Sequence, residues 1–140
     1  MSESENDWLN NLIRKSAEVR ENAHCPYSKF RVGAALLSDD GTVYTGCNVE
    51  NACYPVGVCA ERTAICKAVS EGHKKFKAIA VITDREETVT PCGLCRQSLR
   101  EFQIKSIYCA KATPVNGKYE YRLFTLEELL PHSFGPEYLL

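Results

Sequence analysis

The sequence predicts an α/β layered domain built on a mixed sheet. Segments with helical spacing of apolar residues alternate with strand-length segments through the middle of the chain, the pattern of helices packed on a sheet. One strand-length run, Lys77 to Ile82, is continuously apolar after its lysine, as a strand buried on both faces requires. The chain has 140 residues, of which 44% are hydrophobic and 25% charged, enough for one domain with its own core.

A first helix is expected from about Asp7 to Asn22. Trp8, Leu12, Ile13, Ala17 and Val19 roughly follow its period, and Asp7 is a suitable cap. The polar residues 1–6 read as a flexible tail, and His24-Cys25-Pro26 ends the helix. Phe30 to Leu37 and Val43 to Asn48 read as two strands joined by the turn Asp39-Asp40-Gly41. A loop from Glu50 to Gly57 follows. Cys59 to Val69 reads as a helix whose packing face is Ala60, Ala64, Ile65 and Ala68, with Gly72 ending it. Beyond the strand at Lys77 to Ile82, a helix is expected over Gly93 to Phe102 and a strand over Ile104 to Ala110. A fifth strand over Tyr119 to Phe124 and a short helix over Leu126 to Leu130 complete the order.

Composition narrows the partners. The net charge is -1, and the chain has no basic run beyond Lys74-Lys75, whereas a protein that grips a phosphate backbone shows a concentrated basic footprint. There is no apolar signal segment, no Asn-x-Ser/Thr acceptor and no membrane-length apolar stretch. A cytoplasmic, reducing setting is therefore expected. There, a Cys-x-x-Cys binds metal or does redox work more often than it forms a structural bridge.

The chemistry concentrates in two motifs, Cys59-Ala60-Glu61 and Pro91-Cys92-Gly93-Leu94-Cys95. Cys59, Cys92 and Cys95 supply three thiolates for Zn2+, which in a catalytic site keeps its fourth position for water or substrate. Glu61 is then the carboxylate that moves protons for a zinc-bound water acting as nucleophile. Both ligand groups fall at expected helix N-termini, where the partial positive charge lowers thiol pKa. Residues two apart on a helix point to nearly opposite sides. Cys59 must therefore occupy the non-helical cap if Glu61 is to share its pocket. Three thiolates leave a divalent cation's group one unit negative, and Arg62 is expected to hydrogen-bond the sulfurs and offset that charge. A structural zinc ribbon is the competing reading, but it needs a second Cys-x-x-Cys, which the chain lacks.

Around these motifs stand Phe30-Arg-Val-Gly-Ala-Ala, Asn48-Val-Glu-Asn-Ala-Cys-Tyr-Pro, Arg96-Gln97 and Ser133-Phe-Gly-Pro. Together they resemble the cytidine deaminases, specifically the small, three-cysteine, homotetrameric type, from about Leu9 to Leu139. The resemblance implies a three-layer α/β/α sandwich with a mixed central sheet of about five strands. It also implies zinc-dependent hydrolytic deamination of free cytidine and deoxycytidine in pyrimidine salvage, with one zinc per subunit. Asn48 and Glu50 would bind the ribose hydroxyls, and Phe30 and Ala60 would line the nucleoside pocket. Tyr54 and Phe134 would approach the pocket of a neighbouring subunit, Phe134 by stacking on the base. The larger dimeric relatives use histidine as first ligand and carry a second domain, for which this chain has no room.

Deamination of cytosine within a polynucleotide is the rival enzyme reading, and a non-catalytic zinc module with a fourth protein ligand is the rival from another class. His24, His73 and His132 lack ligand spacing. Cys25, Cys47, Cys66 and Cys109 read as small buried hydrophobes. Cys53 and Arg96 stay undecided.

Overall fold

A computed structural model describes the backbone of residues 3–140 and the side chains of residues 7–140. Helix α1 spans Glu3–Arg20. Strands β1, Gly33–Ser38, and β2, Val43–Cys47, follow as a hairpin. Helix α2 (Ala60–Ser70), strand β3 (Phe76–Ile82), helix α3 (Gly93–Glu101) and strand β4 (Ser106–Ala110) come next. Strand β5 (Tyr121–Thr125) and the short helix α4 (Leu126–Leu129) complete the described order apart from two single 3-10 turns.

The five strands form one sheet in the order β2-β1-β3-β4-β5. Only β3 and β4 pair in parallel; the remaining neighbours are antiparallel, so the sheet is mixed as expected. One face meets α1: Leu9, Leu12, Ile13 and Ala17 pack on Ala35, Ala78, Ala80 and Ile82. The other face, Ala34, Leu36, Ile79, Val81, Ile107 and Cys109, meets residues of α2, α3 and α4. That is the three-layer α/β/α sandwich, and β3 is buried on both sides from Ala78 to Ile82.

Small residues set how closely the helices approach. A Cβ on Gly46 would lie 2.5 Å from the Ala64 nitrogen and 2.7 Å from the Ala60 oxygen. The α2 backbone therefore rests directly on β2, which fixes the N-terminus of α2 at the sheet's edge. Helix α2 ends in a Schellman turn, with Gly72 at φ +93° and His73 N–H donating to the Ala68 carbonyl. Helix α3 ends the same way without a glycine. Gln103 takes φ 51°, Ile104 N–H donates to Leu99 O at 3.0 Å, and both Ile104 and Leu99 are buried.

Several boundaries shift by one or two residues, as at β5, which begins at Tyr121 and not Tyr119, and three differ for a visible reason. The strand expected from Phe30 begins at Gly33: ahead of it the Asn48 side chain takes up Val32 N–H and Phe30 O, leaving one backbone bond, from Asn48 N–H to Val32 O. The strand expected from Ile104 begins at Ser106, because Ile104 belongs to the α3 cap. Helix α1 starts before Asp7, over polar residues that carry no apolar period by which sequence places a helix. Of the expected tail over residues 1–6, Met1 and Ser2 lie outside the described residues.

Candidate active site

Cys59 is the N-cap of α2, in extended conformation at φ -76° and ψ 155°. Cys92 is the N-cap of α3, at φ -66° and ψ 170°, and Cys95 follows in that helix's first turn. The two helix starts converge beyond the C-terminal end of β3, and the three sulfurs lie within 4.8 Å of one another. Cys59 and Cys92 Sγ are 3.8 Å apart. Tetrahedral zinc with bonds of about 2.3 Å places its sulfurs about 3.8 Å from each other, so these residues fit such an ion. No other cluster of three or more His, Cys, Asp or Glu is arranged for a metal among the described residues.

Hydrogen bonding from Cys95, opposed by burial and helped by Arg62 and Cys92, holds Cys59 down at about 5. Cys95, fully buried, is pushed far up by that same bond to Cys59 and by desolvation. The Cys59 thiolate thus forms readily, while the Cys95 thiolate needs a cation beside it, as expected of a preformed metal-binding cluster. Arg62 Nη2 donates to Cys59 Sγ at 3.7 Å. This is the contact expected from the charge argument. The Arg62 Nε is buried with no hydrogen-bond partner among the described residues.

Glu61 sits in the first turn of α2 and is only 4% exposed. Burial, with the negative charge at Cys59 adding to it, pushes its carboxyl up to about 7. A group poised near neutrality is suited to taking and giving protons. Because Cys59 occupies the cap, Cys59 and Glu61 line one cavity of about 470 Å³. The geometric condition posed by sequence is therefore met.

The same cavity collects Phe30, Asn48, Glu50, Tyr54 and Ala60. Asn48 has its amide held from both ends, accepting from Val32 N–H at 2.9 Å and donating to Phe30 O at 2.8 Å. Glu50 accepts from the backbone N–H groups of Tyr27 and Ser28 and from the Ser28 hydroxyl, which holds its carboxyl below the usual range. Two carboxylates line the cavity, and among the described residues no lysine or arginine does. Tyr54, 73% exposed, stands at the mouth of its own chain's cavity with its ring 5.7 Å from that of Tyr27. Phe134 does not line the cavity; it is 56% exposed and stacks on Tyr138.

Two contributors escaped the sequence. Ser28 joins the cavity and links Glu50 to the Phe30 backbone through its hydroxyl, and nothing in Tyr27-Ser28-Lys29 marks it. Arg96, undecided from sequence, donates to Pro91 O, Thr90 Oγ1 and Leu129 O at 2.6–2.7 Å. It pins the segment leading into Cys92 onto the end of α4. Its place four residues after a helix-capping cysteine was the available signal. Of the four cysteines expected to be buried, Cys109 is buried and Cys25 and Cys47 half-buried. Cys66 is exposed, because it lies on the face of α2 opposite Ala64 and Ala68.

Residues 6–111 match the family model described as the cytidine and deoxycytidylate deaminase zinc-binding region. A cytidine deaminase of Sporosarcina psychrophila is 50% identical over 129 residues, covering 90% of each chain. One from Halalkalibacterium halodurans is 46% identical over 129 residues, covering 90% of this chain and 93% of its own. Among solved structures, the cytidine deaminase of Burkholderia pseudomallei is similar with a TM-score of 0.78 at 39% identity. That match covers 96% of this chain and 100% of the other.

Proposed function

The chain belongs to the cytidine and deoxycytidylate deaminase family, and from that premise we propose that it hydrolyses free cytidine and deoxycytidine to uridine and deoxyuridine. The single observation that carries the reading is the meeting of Glu61 with three zinc-spaced sulfurs in one cavity. Cys59, Cys92 and Cys95 would hold zinc, one ion per subunit. When bound, zinc supplies the Lewis acidity that makes water nucleophilic near neutral pH.

The remaining work belongs to the side chains. Water adds to C4 of the base, and Glu61 takes one of its protons and delivers it to N3. The C4–N bond then breaks; Glu61 moves the second proton to the departing nitrogen, which leaves as ammonia. The carboxylate ends as it began, as a shuttle must. Arg62 stabilises the thiolates through its contact with Cys59. Phe30 offers the base an apolar wall, Ala60 closes the floor beside Glu61, and Asn48 and Glu50 offer acceptors and a donor to the sugar hydroxyls.

The family description spans nucleosides and nucleotides, and the cavity favours the former. A substrate phosphate would enter a space lined by Glu50 and Glu61 with no cationic side chain among the described residues to receive it. The same charge argument disfavours a polynucleotide. Among the described residues no helix is long and apolar enough to cross a membrane. We read the chain as one domain acting in the cytoplasm in pyrimidine salvage, with the active unit a homotetramer whose pockets are completed by Tyr54 and Phe134 of neighbours. The exposure of both aromatics supports that arrangement.

The test is incubation of the zinc-loaded protein with cytidine, deoxycytidine and deoxycytidylate. Uridine and ammonia should appear from cytidine, deoxyuridine and ammonia from deoxycytidine, and little product from the nucleotide. No turnover of cytidine would sink the reading.

A further inference from the structure

Phe134 presents a difficulty. An exposed phenylalanine outside any helix or strand is ordinarily free to move, and ordering it on binding costs affinity. Here its neighbourhood is held at every step. Gln97 Nε2 donates to the Phe134 carbonyl at 2.9 Å. Arg100 Nε donates to Ser133 Oγ at 2.9 Å, and the same guanidinium pairs with Glu137. Between those anchors, Gly135 lies flat against the Arg100 guanidinium, where any Cβ would overlap it. The Phe134 ring is braced on Tyr138, with centroids 5.7 Å apart and planes 16° from parallel. None of these contacts buries the ring; they fix it while leaving its face open.

Gln97 and Arg100 both lie on α3, the helix whose first turn carries Cys95 and whose cap is Cys92. Resting on the reading that Phe134 enters a neighbouring subunit's pocket, we propose that Gln97 and Arg100 are positioning residues for substrate binding. They clamp residues 133–137 so that Phe134 is pre-ordered to close the adjacent site. Helix α3 then serves two pockets, supplying sulfurs to its own and aiming an aromatic lid at the next. Neither residue touches substrate. Their effect falls on affinity, because the clamp removes conformational freedom that binding would otherwise have to remove.

The experiment is a double-mutant cycle on the zinc-loaded oligomer, read as KM and kcat for cytidine. Arg100→Met should raise KM roughly three- to tenfold, the equivalent of freeing one ordered side chain or short segment, with kcat within about twofold. On a Phe134→Ala background the same change should add nothing, since the residue it positions is gone. Gln97→Leu leaves the Arg100–Glu137 pair intact and should raise KM in the same direction, which keeps the test alive if Arg100→Met disturbs assembly. Arg100→Lys should recover part of the loss. The clamp is overturned if Phe134→Ala raises KM while Arg100→Met and Gln97→Leu leave it unchanged. Effects of Arg100 and Phe134 that multiply, or a loss confined to kcat, overturn it equally. If Phe134→Ala itself leaves KM unchanged, the shared-pocket reading falls, and the clamp falls with it.

Discussion

Replacing Glu61 by glutamine should inactivate the enzyme and, in the zinc-free protein at alkaline pH, stabilise it. Burial raises the carboxyl from an ordinary 4.5 to about 7. A carboxyl raised in the folded state favours folding when protonated. Its cost is absent below the unfolded value, grows as pH rises, and is complete once pH has passed about 7. At pH 8 and above, keeping the ionised Glu61 buried costs about 3 kcal/mol, at roughly 1.4 kcal/mol for each tenfold change in acidity. An amide of the same shape has no such cost. Zinc-free Glu61→Gln should therefore melt at the same temperature as the parent near pH 4 and roughly 6–12 °C higher near pH 8.5, at about 2–4 °C per kcal/mol for this size. With zinc restored, the variant should keep its metal and lose about 10²–10⁴ in kcat, because an amide does not shuttle protons. The measurements are paired thermal melts against pH and steady-state cytidine turnover. A melting difference between variant and parent that is the same at both pH values would refute the buried-base argument. Near-normal kcat would remove Glu61 from its catalytic role.

The remaining predictions concern the groups around Glu61. Arg62→Gln removes the guanidinium that donates to Cys59 Sγ. The Cys59 thiol in zinc-free protein should then titrate about one pH unit or more higher, read by thiolate absorbance, and an unchanged titration would dismiss the charge offset. Arg96→Met frees Thr90 and Pro91 from α4, so zinc should be lost to a chelator faster than from the parent while Arg96→Lys falls between; equal rates would count against it. Gly46→Ala drives a Cβ into the α2 backbone and should cost about 1–3 kcal/mol in a denaturant titration, and an unmoved midpoint would show that α2 does not rest on β2. Mixed after subunit exchange, inactive Glu61→Gln and weakly binding Phe134→Ala proteins should regain some sound pockets; no recovery despite verified exchange would contradict shared sites.

What sequence could and could not show divides along physical lines. The sulfur cluster was legible because its requirements are local. Two short motifs each open a helix, and a helix N-cap turns its side chain toward its own first turn. From that alone, Cys59 had to be extended for Glu61 to join it, and the structure has it so. Strand β3 was legible because burial on both faces leaves an unbroken apolar run. The tip of the β4–β5 hairpin carries a signal that the strand pattern does not use. Asn116 and Gly117 take φ 52° and 77° with Val115 and Lys118 paired across them, the signature of an Asn-Gly turn. By contrast, Gln103 in a left-handed cap defeats the glycine rule that works at Gly72, so β4 is expected two residues early. The polar contacts were illegible for a different reason. The Asn48 side chain bridges Val32 N–H and Phe30 O, Ser28 gives Glu50 two of its three donors, and Arg96 joins Pro91 to Leu129. Each joins segments apart in sequence by means of ordinary residue types, and no spacing rule encodes such a meeting. The three cysteines and Glu61 were visible because their residue types and spacing are unusual; the residues that place them are ordinary and become visible only when the chain is folded.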